Sequence, residues 1–203
     1  MARPKKDPKP KTNSAAQPVR LDLGCGPNKR EGFIGVDVLK FGGKVDVIFD
    51  LGSGKKFPWK DDSVDEVHAS HFVEHLTWPQ RVHFFNELYR IMKVGAKAQI
   101  IMPHWCSSRY YGDPTHKEPM SEWAWFYMDA DWRKTQAPHD DAKQAGKHPL
   151  AYTCDFSSTT SYGLHQALQG RNPESINYAI QFYKEACTDM ITTIQKKAPA
   201  KKK

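Results

Sequence analysis

The chain has no long apolar run. Nowhere do about 18 consecutive apolar residues occur, the length a membrane-spanning helix needs, and the opening MARPKKDPKPKTNSAAQP holds no apolar stretch of the kind a secretory leader carries. The expectation is a soluble, cytoplasmic protein with no membrane partner. Cysteine is also scarce: Cys25, Cys106, Cys154 and Cys187 are far apart and form no C-x-x-C pair. That spacing argues against a disulfide framework and against a zinc ribbon. No repeat of 20 to 50 residues is present, which sets aside solenoids and propellers. At 203 residues the chain suits one ordinary domain and is too short for two full enzymatic ones.

The basic excess is unevenly spread. Of a formal net charge of +7, residues 1–20 contribute six basic groups and one acid, and residues 196–203 contribute five lysines and no acid. The body between them is left with 19 basic and 22 acidic residues. Both ends are rich in Lys, Pro and Ala and poor in large apolar side chains, so little surface is available to offset the entropy of ordering. The expected organisation is a disordered basic tail over 1–18, a folded domain over 19–196 and a disordered Lys-rich tail over 197–203. Such tails suit weak, salt-sensitive, sequence-blind contact with nucleic acid, or simply solubility.

Between the tails, short apolar runs alternate with polar and helical segments. Runs near 19–23, 33–38, 45–49, 64–69 and 98–102 read as strands of a largely buried parallel sheet. Pro79 to Lys93 places Val82, Phe85, Leu88, Tyr89 and Met92 on one helical face before Gly95. Further on, 121–128 reads as a short aromatic helix, 133–149 as a polar loop, and 152–156 and 159–168 as the remaining strands. Ile176, Ala179, Ile180, Tyr183, Ala186, Met190, Ile191 and Ile194 trace a long amphipathic helix over 173–196. Its apolar face suits core or a dimer contact, and the sequence itself sets no oligomeric state.

The sharpest local signal is Leu21-Asp22-Leu23-Gly24-Cys25-Gly26, a strand running into a two-glycine turn where missing Cβ atoms let a ligand approach the backbone. Asp37, eleven residues after Gly26, falls at the end of the second strand, where a carboxylate can accept from both hydroxyls of a ribose. A dinucleotide fingerprint would want Gly or Ala where Lys29 stands, which lowers an NAD reading.

In four consecutive blocks, LDLGCGPNKREGFIGVDV, VDVIFDL, FPWKDDSVDEVHASHFVEHL and FFNELYRIMKVGAKAQIIMPH, the sequence resembles the class I S-adenosylmethionine-dependent methyltransferases, specifically the compact methyltransferase type 11-like group. The resemblance spans about Val19 to His116. It implies an α/β, Rossmann-like, doubly wound and mostly parallel seven-stranded sheet with helices on both faces. S-adenosyl-L-methionine would be the cofactor. Asp22, Gly24, Cys25 and Gly26 would lie near its methionine part, Asp37 and Val38 at the ribose, and Asp50 with Leu51 at the adenine. Ser70 and His71 would close the site. Two departures mark a subtype: Pro27-Asn28 replaces a third glycine, and only ten residues link the first two strands, so the first helix is held to one or two turns.

Other residues carry two readings each. His71-Phe72-Val73-Glu74-His75 matches the zinc signature H-x-x-E-H. It follows directly on a strand, Trp78-Pro79 ends the local helix, and no third ligand is evident downstream, so no metal is expected. His104, Asp113 and His116 follow the fifth strand, where such a sheet exposes its substrate crevice. They are the catalytic candidates, with His104 or His116 as a base, unless Asp113 and His116 only cap and pin a loop. Trp105, Tyr110, Tyr111, Trp123, Trp125 and Phe126 offer an aromatic acceptor pocket, with one of Trp123 and Trp125 expected in the core. The function expected is methyl transfer to O or N of a small-molecule or glycan acceptor. The alternatives are a nucleic-acid methyltransferase tethered by its tails, and a non-catalytic cofactor-binding docking module. Ala69-Ser70-His71-Phe72 lacks the Asp-Pro-Pro-Tyr pattern that holds a flipped base.

Overall fold

The computed structural model describes residues 17–137 and 152–199, and its elements lie along one seven-stranded sheet. In chain order these are β1 (Arg20–Leu23), β2 (Ile34–Asp37), β3 (Val47–Ile48), β4 (Val64–Ser70), α1 (Trp78–Ile91), β5 (Met92–Pro103), α2 (Ser108–Gly112), α3 (Trp123–Phe126), α4 (Ala130–Gln136), β6 (Phe156–Leu164), α5 (Pro173–Phe182) and β7 (Cys187–Lys196). The spatial order is β3-β2-β1-β4-β5-β7-β6. Pairing from β3 through β5 is parallel, and β7 inserts antiparallel to both β5 and β6. No helix among the described residues is long and apolar enough to cross a membrane. The expected disorder of the tails over 1–16 and 200–203 lies outside the described residues, as does most of the expected loop.

The centre of the sheet is apolar on one face, while the register puts Arg20, Asp22, Glu66, His68, Lys97 and Gln99 on the other. Leu21, Leu23, Val36, Val64, Val67, Ala98, Ile100 and Met102 are sealed, and α1 lays Val82, Phe84, Phe85, Leu88 and Ile91 against the same core. The helix starts where the chemistry directs: Gln80 Oε1 accepts from the Thr77 backbone N–H at 2.9 Å, and Pro79 fills the first turn, where its missing donor costs nothing.

Four expectations need correcting. The crossovers from β1 to β2, β2 to β3 and β3 to β4 contain no α-helix, only turns and the 3₁₀ turn Phe41–Gly43. Ten residues holding Pro27 and three glycines at positive φ leave no room for even a short one. The helix expected over 173–196 breaks after Phe182, and Cys187–Lys196 is a strand. Met190, Ile191 and Ile194 fit either period, but burial at 190, 192, 194 and 196 has period two, and β-branched Thr188, Ile191, Thr192, Thr193 and Ile194 favour extended backbone. Residues 133–136, read as loop, complete α4, whose Asp129 caps the N–H groups of Asp131 and Trp132. Finally, the Lys-rich end is partly folded: Lys197 Nζ reaches Asp129 Oδ2 at 2.8 Å and Asp155 Oδ1 at 3.1 Å.

Candidate active site

The sheet order reverses between β1 and β4, and a cleft of ≈ 400 Å³ opens at the carboxyl ends of the strands there. Gly24 and Gly26 from the turn after β1, Asp37 and Val38 from β2, Asp50 and Leu51 after β3, and His71 after β4 all line it. Seven of the ten residues expected around a cofactor therefore meet in one place.

The turn after β1 is held by Val36, whose carbonyl accepts from Gly24 N–H at 2.8 Å. Gly24 has φ +69°, and a Cβ there would sit 2.4–2.6 Å from the Phe72 side chain. A glycine is required because the turn presses directly on β4's exit. Gly26, at φ +54°, has no atom within 4 Å of where a Cβ would stand. Its N–H donates to Asp37 Oδ2 at 2.9 Å, and Leu39 N–H donates to Oδ1 at 3.1 Å. Those two bonds fix the Asp37 carboxylate while leaving lone pairs on each oxygen. Asp50 is set similarly by the Gly52 N–H at 2.9 Å.

Three residues stand apart from the lining. Asp22 is buried, with Oδ2 accepting from Arg30 N–H and Oδ1 on His68 Nδ1, both at 2.8 Å, so it ties the crossover to β4. Cys25 and Ser70 are not lining residues either. Burial, with Asp22 and Asp37 adding their charge, pushes the Cys25 thiol up to about 11, so it stays protonated at neutral pH. The sequence reading missed Phe49, Gly52, Phe72, Leu76 and Gln80 as cleft walls. For Gln80 a signal existed: Thr77 to Gln80 has capping-box spacing, and the Gln80 amide also donates to Gly52 O at 3.0 Å.

The cleft has the size of a small-ligand site and combines apolar walls with a few fixed polar groups. Backbone exposed at a two-glycine turn, an oriented carboxylate one strand over, and a polar-apolar edge at Asp50-Leu51 fit an adenosine-bearing cofactor with a charged tail. Residues 36–100 match a family model described as a methyltransferase domain. A solved structure of a SAM-dependent methyltransferase from Archaeoglobus fulgidus is similar, with a TM-score of 0.57 and 24% identity over 89% of this chain and 87% of that one. Over residues 36–100 the chain is similar to methyltransferase domains, and its fold is like that of an S-adenosylmethionine-dependent methyltransferase. More distantly, this methyltransferase fold is similar to a methyltransferase from Bacillus halodurans (TM-score 0.48, 12% identity, 88% of this chain, 92% of that one). It is also similar to Haemonchus contortus phosphoethanolamine N-methyltransferase 2 in complex with S-adenosyl-L-methionine (0.46, 14%, 89% and 49%). No curated protein matches the sequence.

Beyond this cleft, the fold separates the three catalytic candidates. His104 is fully buried, with Nδ1 2.9 Å from Cys106 Sγ and Nε2 2.8 Å from Glu122 Oε1. Burial lowers its pKa, yet the bonds to Glu122 and Cys106 outweigh that and the net shift is upward. Asp113 is exposed and accepts from Thr115 N–H and Oγ1 at 2.8 and 2.6 Å, the capping arrangement. His116 packs on His75, ring centroids 4.9 Å apart, and its Nδ1 lies 2.7 Å from Tyr110 O.

The H-x-x-E-H segment forms no α-helix: His71 has φ +53° and only Val73–His75 makes a 3₁₀ turn. Trp123 and Trp125 divide as anticipated. Trp125 is core, its indole N–H 3.3 Å from Met190 Sδ, while Trp123 is 66% exposed. Of the six aromatics expected around an acceptor, only Trp105 and Trp123 line a second cleft of ≈ 610 Å³, where they join Glu122, Tyr162, Asn177 and Gln181.

Proposed function

We propose that this methyltransferase transfers the methyl group of S-adenosylmethionine to an oxygen or nitrogen of a small polar or glycan-type acceptor. The observation that carries the reading is the fixed Asp37 carboxylate beside the Gly24–Gly26 turn in a cleft at the sheet's switch point. In this reading Gly24 and Gly26 take the amino-acid end of the cofactor, Asp37 the ribose hydroxyls and Asp50 with Leu51 the adenine. The bound cofactor supplies an electrophilic methyl on a sulfonium, so alignment of the acceptor provides much of the rate.

The acceptor class is supported by the second cleft. Trp105 leaves the carboxyl end of β5, the strand next to β4, so this cleft shares the sheet edge with the first. Aromatic faces from Trp105, Trp123 and Tyr162, with carboxylate and amide groups from Glu122, Asn177 and Gln181, suit a ring that is apolar on its face and polar at its rim. His104, sealed beneath Trp105, would orient Glu122. His116 is the histidine we place toward the acceptor, with Asp113 holding its loop.

Calorimetric titration of the full chain with S-adenosylmethionine and S-adenosylhomocysteine tests the reading. Micromolar binding of both, with none of NAD, is expected. Asp37→Ala should weaken both by about 1.5 to 3 kcal/mol, the worth of a charged hydrogen bond. No binding by the folded wild type would overturn the cofactor assignment and favour a docking module.

A further inference from the structure

The strongest unexplained feature is a buried carboxylate. Glu74 is fully buried, and neither of its carboxylate oxygens has a hydrogen-bond partner. A buried charge left so is costly unless something compensates it. Among the described residues, only His71 and His116 lie within 4.0 Å of it as ion-pair partners: His71 Nδ1 at 3.3 Å and His116 Nε2 at 4.0 Å. One ligand-type atom each from Glu74, His75 and His116 lie within 4.8 Å of one another. From this geometry we infer a divalent metal site on Glu74, His75 and His116, at the rim of the cofactor cleft that His75 lines.

The hydrogen bonds around the two rings prepare them for this. Tyr110 O can only accept, so at 2.7 Å the proton of His116 sits on Nδ1 and the lone pair on Nε2. Thr115 Oγ1 gives its single proton to Asp113 Oδ1 at 2.6 Å. The same oxygen, 3.0 Å from His75 Nδ1, must then accept from that ring, which leaves the lone pair of His75 on Nε2. A neutral ring held at one nitrogen by an outer acceptor, with the other nitrogen free, is the arrangement metal-binding histidines have. The role seen for Asp113 as a loop cap becomes part of the site: it sets Thr115, which sets His75.

Two imidazoles and one carboxylate select a borderline transition ion such as Zn²⁺, Fe²⁺ or Mn²⁺ over Mg²⁺ or Ca²⁺, and leave coordination positions open. The sequence motif suggested His71 and His75 as the histidine pair. The structure instead supplies His116 from 41 residues downstream, the third ligand that the motif lacked. On the methyl-transfer reading, an ion here would hold an acceptor's oxygen next to the cofactor cleft and favour its deprotonation.

The test uses full-length, chelator-stripped protein titrated with Co²⁺ and then displaced by Zn²⁺. One equivalent should bind and give visible d–d bands without a sulfur-to-cobalt charge-transfer band. Glu74→Gln and His116→Ala should each weaken binding by roughly 100-fold or more, and Thr115→Val, which touches only the outer bond, by roughly 10- to 100-fold. Cys106→Ser should change nothing. If Glu74→Gln does not fold, His75→Ala, on the cleft rim, stands in for it. Absence of one-to-one binding, or binding indifferent to Glu74→Gln, overturns the site. So does a thiolate band lost in Cys106→Ser, which would move the ion to His104, Cys106 and Cys187, a second cluster of close ligand atoms. S-adenosylmethionine binding is measured separately on metal-free protein, so loss of the metal site and loss of the cofactor reading give different results.

Discussion

At the scale of single residues, the two glycines of the turn after β1 are required for different reasons. At Gly24 an added Cβ meets the Phe72 ring and the backbone stays at φ +69°, so Gly24→Ala combines strain with overpacking. A loss of at least about 2 kcal/mol is expected. At Gly26 the space is open, and Gly26→Ala carries only the left-handed penalty, about 1 to 2 kcal/mol. Urea melts of the two variants check this; equal losses would mean that Phe72 yields. Sequence pattern found both glycines but could not rank them, because the ranking depends on a residue 48 positions away. The same limit applies at Asp22, whose strand-end place suggests a ligand contact. His68 and Arg30 occupy its oxygens instead.

At the scale of elements, legibility followed periodicity. The buried parallel strands and α1 announce themselves, since a run of apolar residues or a three-four spacing admits one reading. Cys187–Lys196 does not, because its apolar positions satisfy both periods and only its neighbours β5 and β6 decide between them. Nor does a sequence show how α1 is fastened to the segment before β4. Glu87 does this: it takes Phe57 N–H at 2.6 Å and a two-point contact from Arg90, which also reaches Phe57 O and Trp59 O. Burial alone would raise the Glu87 pKa, but the bonds from Arg90 and Phe57 prevail and lower it. A depressed folded pKa contributes stability that is full above the unfolded value and is lost as pH falls through the folded one. Glu87→Gln should therefore cost roughly 1 to 2 kcal/mol at pH 7. The gap to wild type should close as pH drops below about 4. A gap that stays constant in melts from pH 7 to pH 3 would show that the contribution is packing, not charge.

At the scale of the whole molecule, charge is segregated by position, and the structure redraws one boundary of that segregation. Lys196 is a buried part of β7, its Nζ on Asp62 Oδ1 at 2.7 Å and Met92 O at 2.9 Å, and Lys197 adds a backbone bond to Asp155 O at 3.1 Å. The sequence reading put Lys197 in the tail because lysine-rich ends read alike whether or not carboxylates await them. The polyanion tether is consequently sought in residues 1–16 and 200–203, which together hold eight basic residues and one acid. Removing these segments should abolish salt-sensitive retention on DNA or RNA and leave both the melting temperature and S-adenosylmethionine affinity unchanged. Extending the second cut to residue 197 should add a loss of roughly 1 kcal/mol, as Lys197 leaves Asp129 and Asp155. If the body without 1–16 and 200–203 still binds nucleic acid, attraction resides on the folded surface. A nucleic-acid acceptor would then displace the glycan-type one as the leading substrate class.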